Sequence, residues 1–440
     1  MRKQRTEIEA LLPQSTDNFD VIIVGGGPAG IGAAIASTMG GAKTLLLEDR
    51  TFFGGVAAVS GWMPMNRLML EGLSRGDVCD LFVRKVRSLG VDASLMGKTS
   101  WVDGDGLHIH PDYLRLAVYE IMEDIGCHYL LRSPVTGVEM DGNKIKAVIC
   151  DGKFGRSVYY GKIFIDASGD GDVAYYAGVP TVKGRESDGV FMPVTLGFVI
   201  AGVDEERLFE ALDKDYLTIV NSIKAMGGKG YATSMFYSFD KTTVPGAVSI
   251  NNGGQDDDGI IDASDLHHTN ISLRTGLQVA MDFITIVKEL KIPGLENCVL
   301  IRTGADLGIR ETRRIIGDYV MTLEDSQQGV EFDDVVARRY GTIDPGGLVE
   351  DKDYHGSIIN GHAYPYRCML PKNVEGLLVA GRCASLTHLA LTTCKSMGNM
   401  MGIGSSAGTA AAMCVKESIA PRDIDIKKLQ QRLREMNVKL

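Results

Sequence analysis

The chain has 440 residues, 45% of them hydrophobic and 23% charged, which allows a sizeable buried core and excludes disorder as the main state. Its 46 basic and 56 acidic residues give a formal charge of −10 with no long basic run, so nucleic acid is not the expected partner. Eight cysteines without a CxxC pair disfavour zinc knuckles and ferredoxin-type clusters, and no metal site is expected. The leader Met1–Asp17 lacks the apolar run of a signal peptide, and no stretch approaches the ~18 apolar residues of a membrane span. A cytoplasmic protein with reduced thiols and no membrane partner is expected.

In chain order, residues 1–18 form a polar arm with a short helix over Arg5–Leu12. The apolar run Val21–Val24 reads as a buried parallel strand and stops at Gly25-Gly26-Gly27. A small-residue helix over Ala29–Met39 and a second strand, Thr44–Leu47, ending in Glu48, complete a βαβ unit. Apolar residues at helical spacing predict a helix over 112–126. Strands are predicted at Tyr129–Leu131, Val135–Met140, Lys144–Cys150, Ser157–Tyr160 and Lys162–Ile165. The middle carries irregular loops at Asn251–Gly254 and Asp256–Gly259 and one long helix near 264–290. The end returns to strand Gly376–Ala380, turn Gly381-Arg382 and a small-residue helix over 398–415.

Gly25-Gly26-Gly27-Pro28-Ala29-Gly30 fits G-x-G-x-x-G, placed after a strand and opening a helix. Gly25 permits the turn, Gly27 lets the backbone approach a pyrophosphate, and Gly30 allows close helix–strand packing. The helix N-terminus faces the phosphates with unpaired N–H groups, and Glu48 stands where a carboxylate can accept from a ribose diol. No second such loop follows a strand, so a nicotinamide nucleotide is expected to lack a domain of its own.

The fingerprint alone does not separate NAD from FAD. Three further pieces resemble successive FAD contacts of the glutathione-reductase structural class: Glu48-Asp49-Arg50 with Gly54-Gly55, Ile165-Asp166-Ala167-Ser168-Gly169, and Leu378-Val379-Ala380-Gly381-Arg382. Gly308–Ile315 with Gly317-Asp318-Tyr319, Gly381–His388 and Ser406–Ala412 are similar to one prokaryotic family, the FAD-dependent oxidoreductases. The resemblance spans about residues 19–437. It implies an α/β fold with a Rossmann-like, glutathione-reductase-type FAD-binding domain (19–189 and 361–440) and an inserted α+β substrate or cap domain (190–360).

By the same resemblance Gly25, Gly27, Pro28, Ala29 and Gly30 would hold the pyrophosphate and Glu48, with Asp49 and Arg50, the adenosine ribose. Gly54, Gly55 and Val56 would line the cofactor further on, and the backbone of Val135 would meet the adenine. Ala167, Ser168, Gly169, Gly381 and Arg382 would flank it from the later motifs. The helix beginning near Asn399 and Met400 would aim its N-terminus at the pyrimidine end of the flavin, where reduction places negative charge. Ser168 stands where the family more often has threonine, and Ala57-Ala58 where Ala-Thr is expected.

Arg310, Arg313 and Arg314 have helical spacing and would share one helix face, either as an anion clamp or as a salt-bridge network with Glu311, Asp318 and Glu324. Arg310 is the expected clamp. His388, in the segment returning to the flavin, is the expected proton donor or acceptor, with a packed structural histidine as the alternative. His355 and Arg367 are candidates for a substrate pocket, and Trp62, Met63 and Met65 could wall the flavin or pack a core. The leading function is hydride transfer between FAD and a small polar or anionic metabolite. The alternatives are an NAD-dependent dehydrogenase using the single Rossmann unit and a non-redox FAD isomerase or hydratase. A redox partner protein and a homo-oligomer are both left open.

Overall fold

The computed structural model describes residues 4–13, 17–69, 75–95, 106–227, 238–251, 261–341 and 361–440. Its largest sheet has seven strands. Six run in the order His128–Leu130, Thr44–Leu47, Asn18–Val24, Gly155–Asp166, Lys144–Gly152, Val135–Asp141, and Leu377–Val379 joins Gly155–Asp166. The pairs that involve Asn18–Val24, Thr44–Leu47, His128–Leu130 and Leu377–Val379 are all parallel. The remaining strands form an antiparallel meander. Val21, Ile22 and Ile23 are each 0% exposed, which is why both faces of this strand are apolar and no alternation is visible in its sequence.

Gly155–Asp166 is one strand, not the two expected on either side of Gly161. A Cβ on Gly161 would stand 3.0 Å from the Ile22 side chain and 3.2 Å from the Phe164 ring. The glycine therefore relieves crowding inside a continuous strand and does not end it. The strand's first half pairs with Lys144–Gly152. Its second half lies between Asn18–Val24 and Leu377–Val379.

Two helices pack on this sheet side by side. Pro28–Met39 follows the glycine loop, and Met397–Glu417 is the long C-terminal helix. A Cβ on Gly404 would collide with the Ala29 carbonyl oxygen, and one on Gly408 with that of Ala33. Contacts that advance together along both chains make the helices parallel, so their positive N-terminal ends point the same way. At 1.5 Å per residue, the seven residues from Met397 to Gly404 carry the second helix about 10 Å past the first one's start.

A second hydrophobic core gathers residues from Phe198 to Cys298. It lies under a four-stranded antiparallel sheet in the order Ser238–Lys241, Ala247–Asn251, Phe198–Ala201, Val299–Thr303. The helices Glu205–Gly227, kinked at Asp215, and Leu266–Glu289 pack there through Leu208, Leu212, Val279 and Phe283. Trp62 bridges to this sheet by packing on Val199 and Ala247, and Ser249 Oγ donates to the Gly61 carbonyl at 2.6 Å. Thr195 and Gly308 exchange both backbone hydrogen bonds, at 3.1 and 2.6 Å, where the chain enters and leaves this unit.

Candidate functional site

Four strands of the large sheet end together at its C-terminal edge, with Gly25, Glu48, Ala167 and Ala380-Gly381 following them. Ligands of open α/β sheets bind at this edge. Gly25 has φ +102°, and a Cβ there would be driven into the Ala167 carbonyl; one on Gly30 would be driven into the Gly25 carbonyl. Those two glycines are demanded by the fold itself. Gly27 is different, because a Cβ there would meet nothing nearer than Gly55 Cα at 3.8 Å. Its missing side chain keeps open a gap walled by Gly55, which has φ +54° and caps the short helix Val56–Val59. Pro28 and Ala29 open the helix behind it.

Glu48 is 5% exposed. Its Oε2 accepts the Gly26 N–H at 2.6 Å and its Oε1 the Arg50 N–H at 2.9 Å. Burial, followed by the neighbouring Asp49, pushes its carboxyl up to about 8. Asp49 itself is exposed, and Arg50 Nη2 pairs with Asp306 at 2.8 Å, tying this end of the loop to the second unit. Val135 begins its strand at 9% exposure.

On the other side of the edge the Asp166 carboxylate is fully buried. Its Oδ1 accepts from Ser168 Oγ at 2.7 Å and the Ser168 N–H at 3.1 Å, and its Oδ2 from the Ala174 N–H at 2.9 Å. The Ser168 hydroxyl also accepts the Asp172 N–H at 3.0 Å, so it closes this turn. Asp170 Oδ1 accepts from both Thr312 Oγ1 and Arg382 Nη2 at 2.6 Å. Arg382 Nη2 also lies 3.0 Å from where a Cβ on Gly169 would be. Its other terminal nitrogen, Nη1, is buried without a hydrogen-bond partner. An orphaned guanidinium nitrogen beside Gly169 and Gly381 fits an acceptor oxygen supplied by a ligand.

Arg310, Arg313 and Arg314 do not lie on a helix. Arg313–Ile315 is a strand paired antiparallel with Thr181–Lys183, so Arg313 and Arg314 point to opposite faces. Long-range pairing overrides the helical spacing here. Arg313 Nη1 donates to the Asp170 carbonyl at 2.9 Å and to Asp172 Oδ1 at 3.0 Å, under the Tyr175 ring. Arg314, 0% exposed, holds the Leu386 and Gly184 carbonyls and pairs with Glu186 and Glu311. Arg310 Nη1 donates to the Pro193 carbonyl at 2.9 Å and Thr195 Oγ1 at 2.6 Å, and Nη2 reaches Asn251 Oδ1 at 3.5 Å. Asp318 pairs with Arg422, outside this group.

His388 starts the helix His388–Cys394 and is 0% exposed. Its Nδ1 lies 2.8 Å from Glu311 Oε2, which also accepts the Met192 N–H at 3.0 Å, and Glu311 is 1% exposed. The contact is a proximity of ring and carboxylate, not a hydrogen bond through Nδ1. Glu311 thus brings His388 next to the segment that carries Arg310, and a Cβ on Gly308 in that segment would stand 3.7 Å from the Val56 side chain. His355 and Asp256–Asp258 lie outside the described residues. Arg367 is paired twice with Asp334, at 2.9 and 3.0 Å, and Trp62 Nε1 donates to Thr243 Oγ1 at 3.0 Å.

The long C-terminal helix starts at Met397, and the Asn399 side chain on its first turn is engaged by protein groups. Oδ1 accepts from Arg75 Nη1 at 3.0 Å and the Tyr340 N–H at 2.9 Å, and Nδ2 donates to the Tyr340 carbonyl at 2.7 Å. Met400 packs behind it at 5% exposure. Arg75 and Arg339 escaped notice in the sequence. Both are buried, and neither meets a carboxylate among the described residues. Arg339 directly follows Arg338 and Arg75 stands between Ser74 and Gly76, and nothing in these neighbours signals burial.

The sequence profile of the FAD dependent oxidoreductase family matches residues 20–433. The chain belongs to that family. FAD is its cofactor, and it is an oxidoreductase. Among curated proteins, 76 residues are 33% identical to a 4-oxocyclohex-2-ene-1-carboxylate 5-dehydrogenase of Sinomonas cyclohexanicum, a stretch that covers 17% of this chain and 12% of that one. The match therefore spans a small part of the relative's length. Among solved structures, an aromatic hydroxylase from angucycline biosynthesis is similar at 12% identity and TM-score 0.50, over 96% of this chain and 66% of that one. A geranylgeranyl bacteriochlorophyll reductase-like protein from Thermoplasma acidophilum has 14% identity and TM-score 0.49, over 96% and 83%. The first of these two structures agrees with the Rossmann-like FAD-binding fold. No helix among the described residues is long and apolar enough to cross a membrane.

Proposed function

We propose that this family member transfers a hydride between FAD and a small anionic metabolite held where residues 308–311 approach the glycine-rich edge of the large sheet. The observation that carries the reading is the buried His388–Glu311 pair, 2.8 Å apart, in the segment that also presents Arg310. The open gap between Gly27 and Gly55 suits the pyrophosphate, and Glu48 the adenosine ribose. Val56 and Gly54 would line the next stretch, Gly169, Gly381 and Arg382 its opposite side, and the Val135 backbone the adenine. The parallel helix N-termini at Pro28 and Met397 set positive potential along that path. FAD supplies the hydride acceptor or donor when bound.

Arg310 anchors the substrate's anionic group. Its fork is held in place by the Pro193 carbonyl and Thr195. His388 moves the proton that accompanies the hydride. Glu311, 2.8 Å from Nδ1, stabilises the ring's charged form. The carboxylate in the name of the Sinomonas relative's substrate is in keeping with an anionic ligand.

The test is anaerobic: small carboxylic acids are added to the yellow protein and the flavin band near ~450 nm is followed. An acid of the right skeleton should bleach it, and its methyl ester should not. Bleaching by acid and ester alike would remove the anionic anchor from the reading.

A further inference from the structure

A shallow, open surface depression lies between the strand Val335–Arg339 and the end of the chain. Arg75 forms part of its wall, with Arg338, Tyr340, Gly402 and Lys439, and no carboxylate side chain lines it among the described residues. Arg75 is 8% exposed, and its guanidinium stacks 4.5 Å from the Tyr340 ring centre. Its hydrogen bonds go to neutral acceptors only: the Arg67 carbonyl at 3.0 Å, Asn399 Oδ1 at 3.0 Å and the Arg338 carbonyl at 3.1 Å. Arg338 is neutralised by a two-pronged pair with Glu331, at 2.5 and 2.8 Å.

Of the basic residues lining the depression, Arg75 and the exposed Lys439 pair with no side-chain carboxylate among the described residues. A buried guanidinium without a counter-ion is costly, and charge-assisted contact with an anion offsets that cost. Three of the five guanidinium N–H groups are used, which leaves two for a ligand. Gly402 keeps the approach to Nη2 clear, because a Cβ there would stand 3.1 Å from that nitrogen.

We infer that this depression is a binding site for a small oxyanion, a carboxylate or phosphate group, held by Arg75 and Lys439. Neither Arg310 nor His388 lines it. Arg75 also grips Asn399, and Asn399 holds the Tyr340 backbone to the first turn of the Met397–Glu417 helix. An anion on Arg75 is thereby connected to the helix end that faces the flavin path, and occupancy should be felt there.

Calorimetric titration of the FAD-loaded protein with sodium phosphate, and separately with sodium acetate, tests this at constant ionic strength. Saturable binding is expected for at least one of them. Phosphate alone identifies a phosphate source, and acetate alone a carboxylate source. Lys439→Gln, at an exposed position, should weaken binding on the order of tenfold, the equivalent of about 1.4 kcal/mol, with FAD content unchanged. Arg75→Lys keeps the charge and should weaken it by a similar factor, and Arg75→Gln should abolish it. If Arg75→Gln does not fold, the other two variants still decide. No saturable heat with either anion, or affinities unmoved in both Lys439→Gln and Arg75→Lys, would overturn the site.

Discussion

The glycine loop at residues 25–30 and the arginine segment at residues 310–314 are each dense in one residue type, but different things hold them in place. The glycines are fixed by neighbours a few residues away or by the adjoining strand end: Gly30 by the Gly25 carbonyl, Gly25 by Ala167. The arginines are fixed by groups far along the chain: Arg313 by Asp170 and Asp172, Arg314 by Gly184, Glu186 and Leu386. A backbone constraint of the first kind leaves a spacing in the sequence. A side-chain network of the second kind leaves only charges, whose partners become visible when the fold is assembled.

The largest effect should come from setting the two kinds of glycine against each other. Gly30→Ala places a methyl in the Gly25 carbonyl and should yield little soluble, yellow protein. Gly27→Ala has room in the folded chain, so it should fold with a near-normal Tm while losing FAD, because the methyl fills the gap kept for the pyrophosphate. Thermal melts and flavin absorbance on both variants check this. Equal loss of folding in the two would erase the distinction.

Next in size is Arg314→Met. Removing one member of the buried Glu311–Arg314–His388 group leaves a carboxylate without its main partner, at a cost of about 3–5 kcal/mol. Denaturant unfolding should show that loss. A change under about 1 kcal/mol would mean that Arg314 is not the support of Glu311.

Glu48→Gln should be smaller. At a pH above about 8, where its carboxylate is charged, losing this acceptor of the ribose diol should weaken FAD retention by about 1.5–3 kcal/mol, read as FAD released on dialysis. The same substitution has a pH signature in the FAD-free protein. Burial and Asp49 raise the Glu48 carboxyl from 4.5 to about 8, so its folded form favours the proton. Its stabilising contribution is complete below about 4.5 and is lost as pH rises through about 8. Glu48→Gln should therefore equal the parent in Tm at acid pH and exceed it above pH 8. A constant difference across that window would contradict the assignment.

The same contrast explains what could be read from the sequence. The βαβ unit, the glycine loop and the position of Glu48 were legible because strand, turn and helix follow each other within thirty residues. The helices Pro28–Met39 and Met397–Glu417 were legible because close packing demands small residues in a run. Gly161 misled because a glycine that relieves crowding looks like one that ends a strand. Arg310, Arg313 and Arg314 misled because helical spacing also occurs in a strand held by distant partners. The second sheet, built from Phe198–Ala201, Ser238–Lys241, Ala247–Asn251 and Val299–Thr303, was not seen. Its strands are four or five residues long, and two of the three connections between them are long, which leaves no local period to detect. The Glu311–His388 pair joins residues 77 apart and could not be found by spacing.

The central claim is that Arg310 and His388 serve the substrate and not the fold. Stopped-flow anaerobic reduction of His388→Ala and Arg310→Lys, with an acid that bleaches the parent protein, tests it most directly. Both variants should remain yellow. His388→Ala should reduce the limiting rate of bleaching by about 10²–10⁴. Arg310→Lys should raise the concentration of acid needed for half-maximal rate, because the fork is lost and the charge kept. Yellow, folded variants that bleach at the parent rate with the parent's concentration dependence would contradict the account.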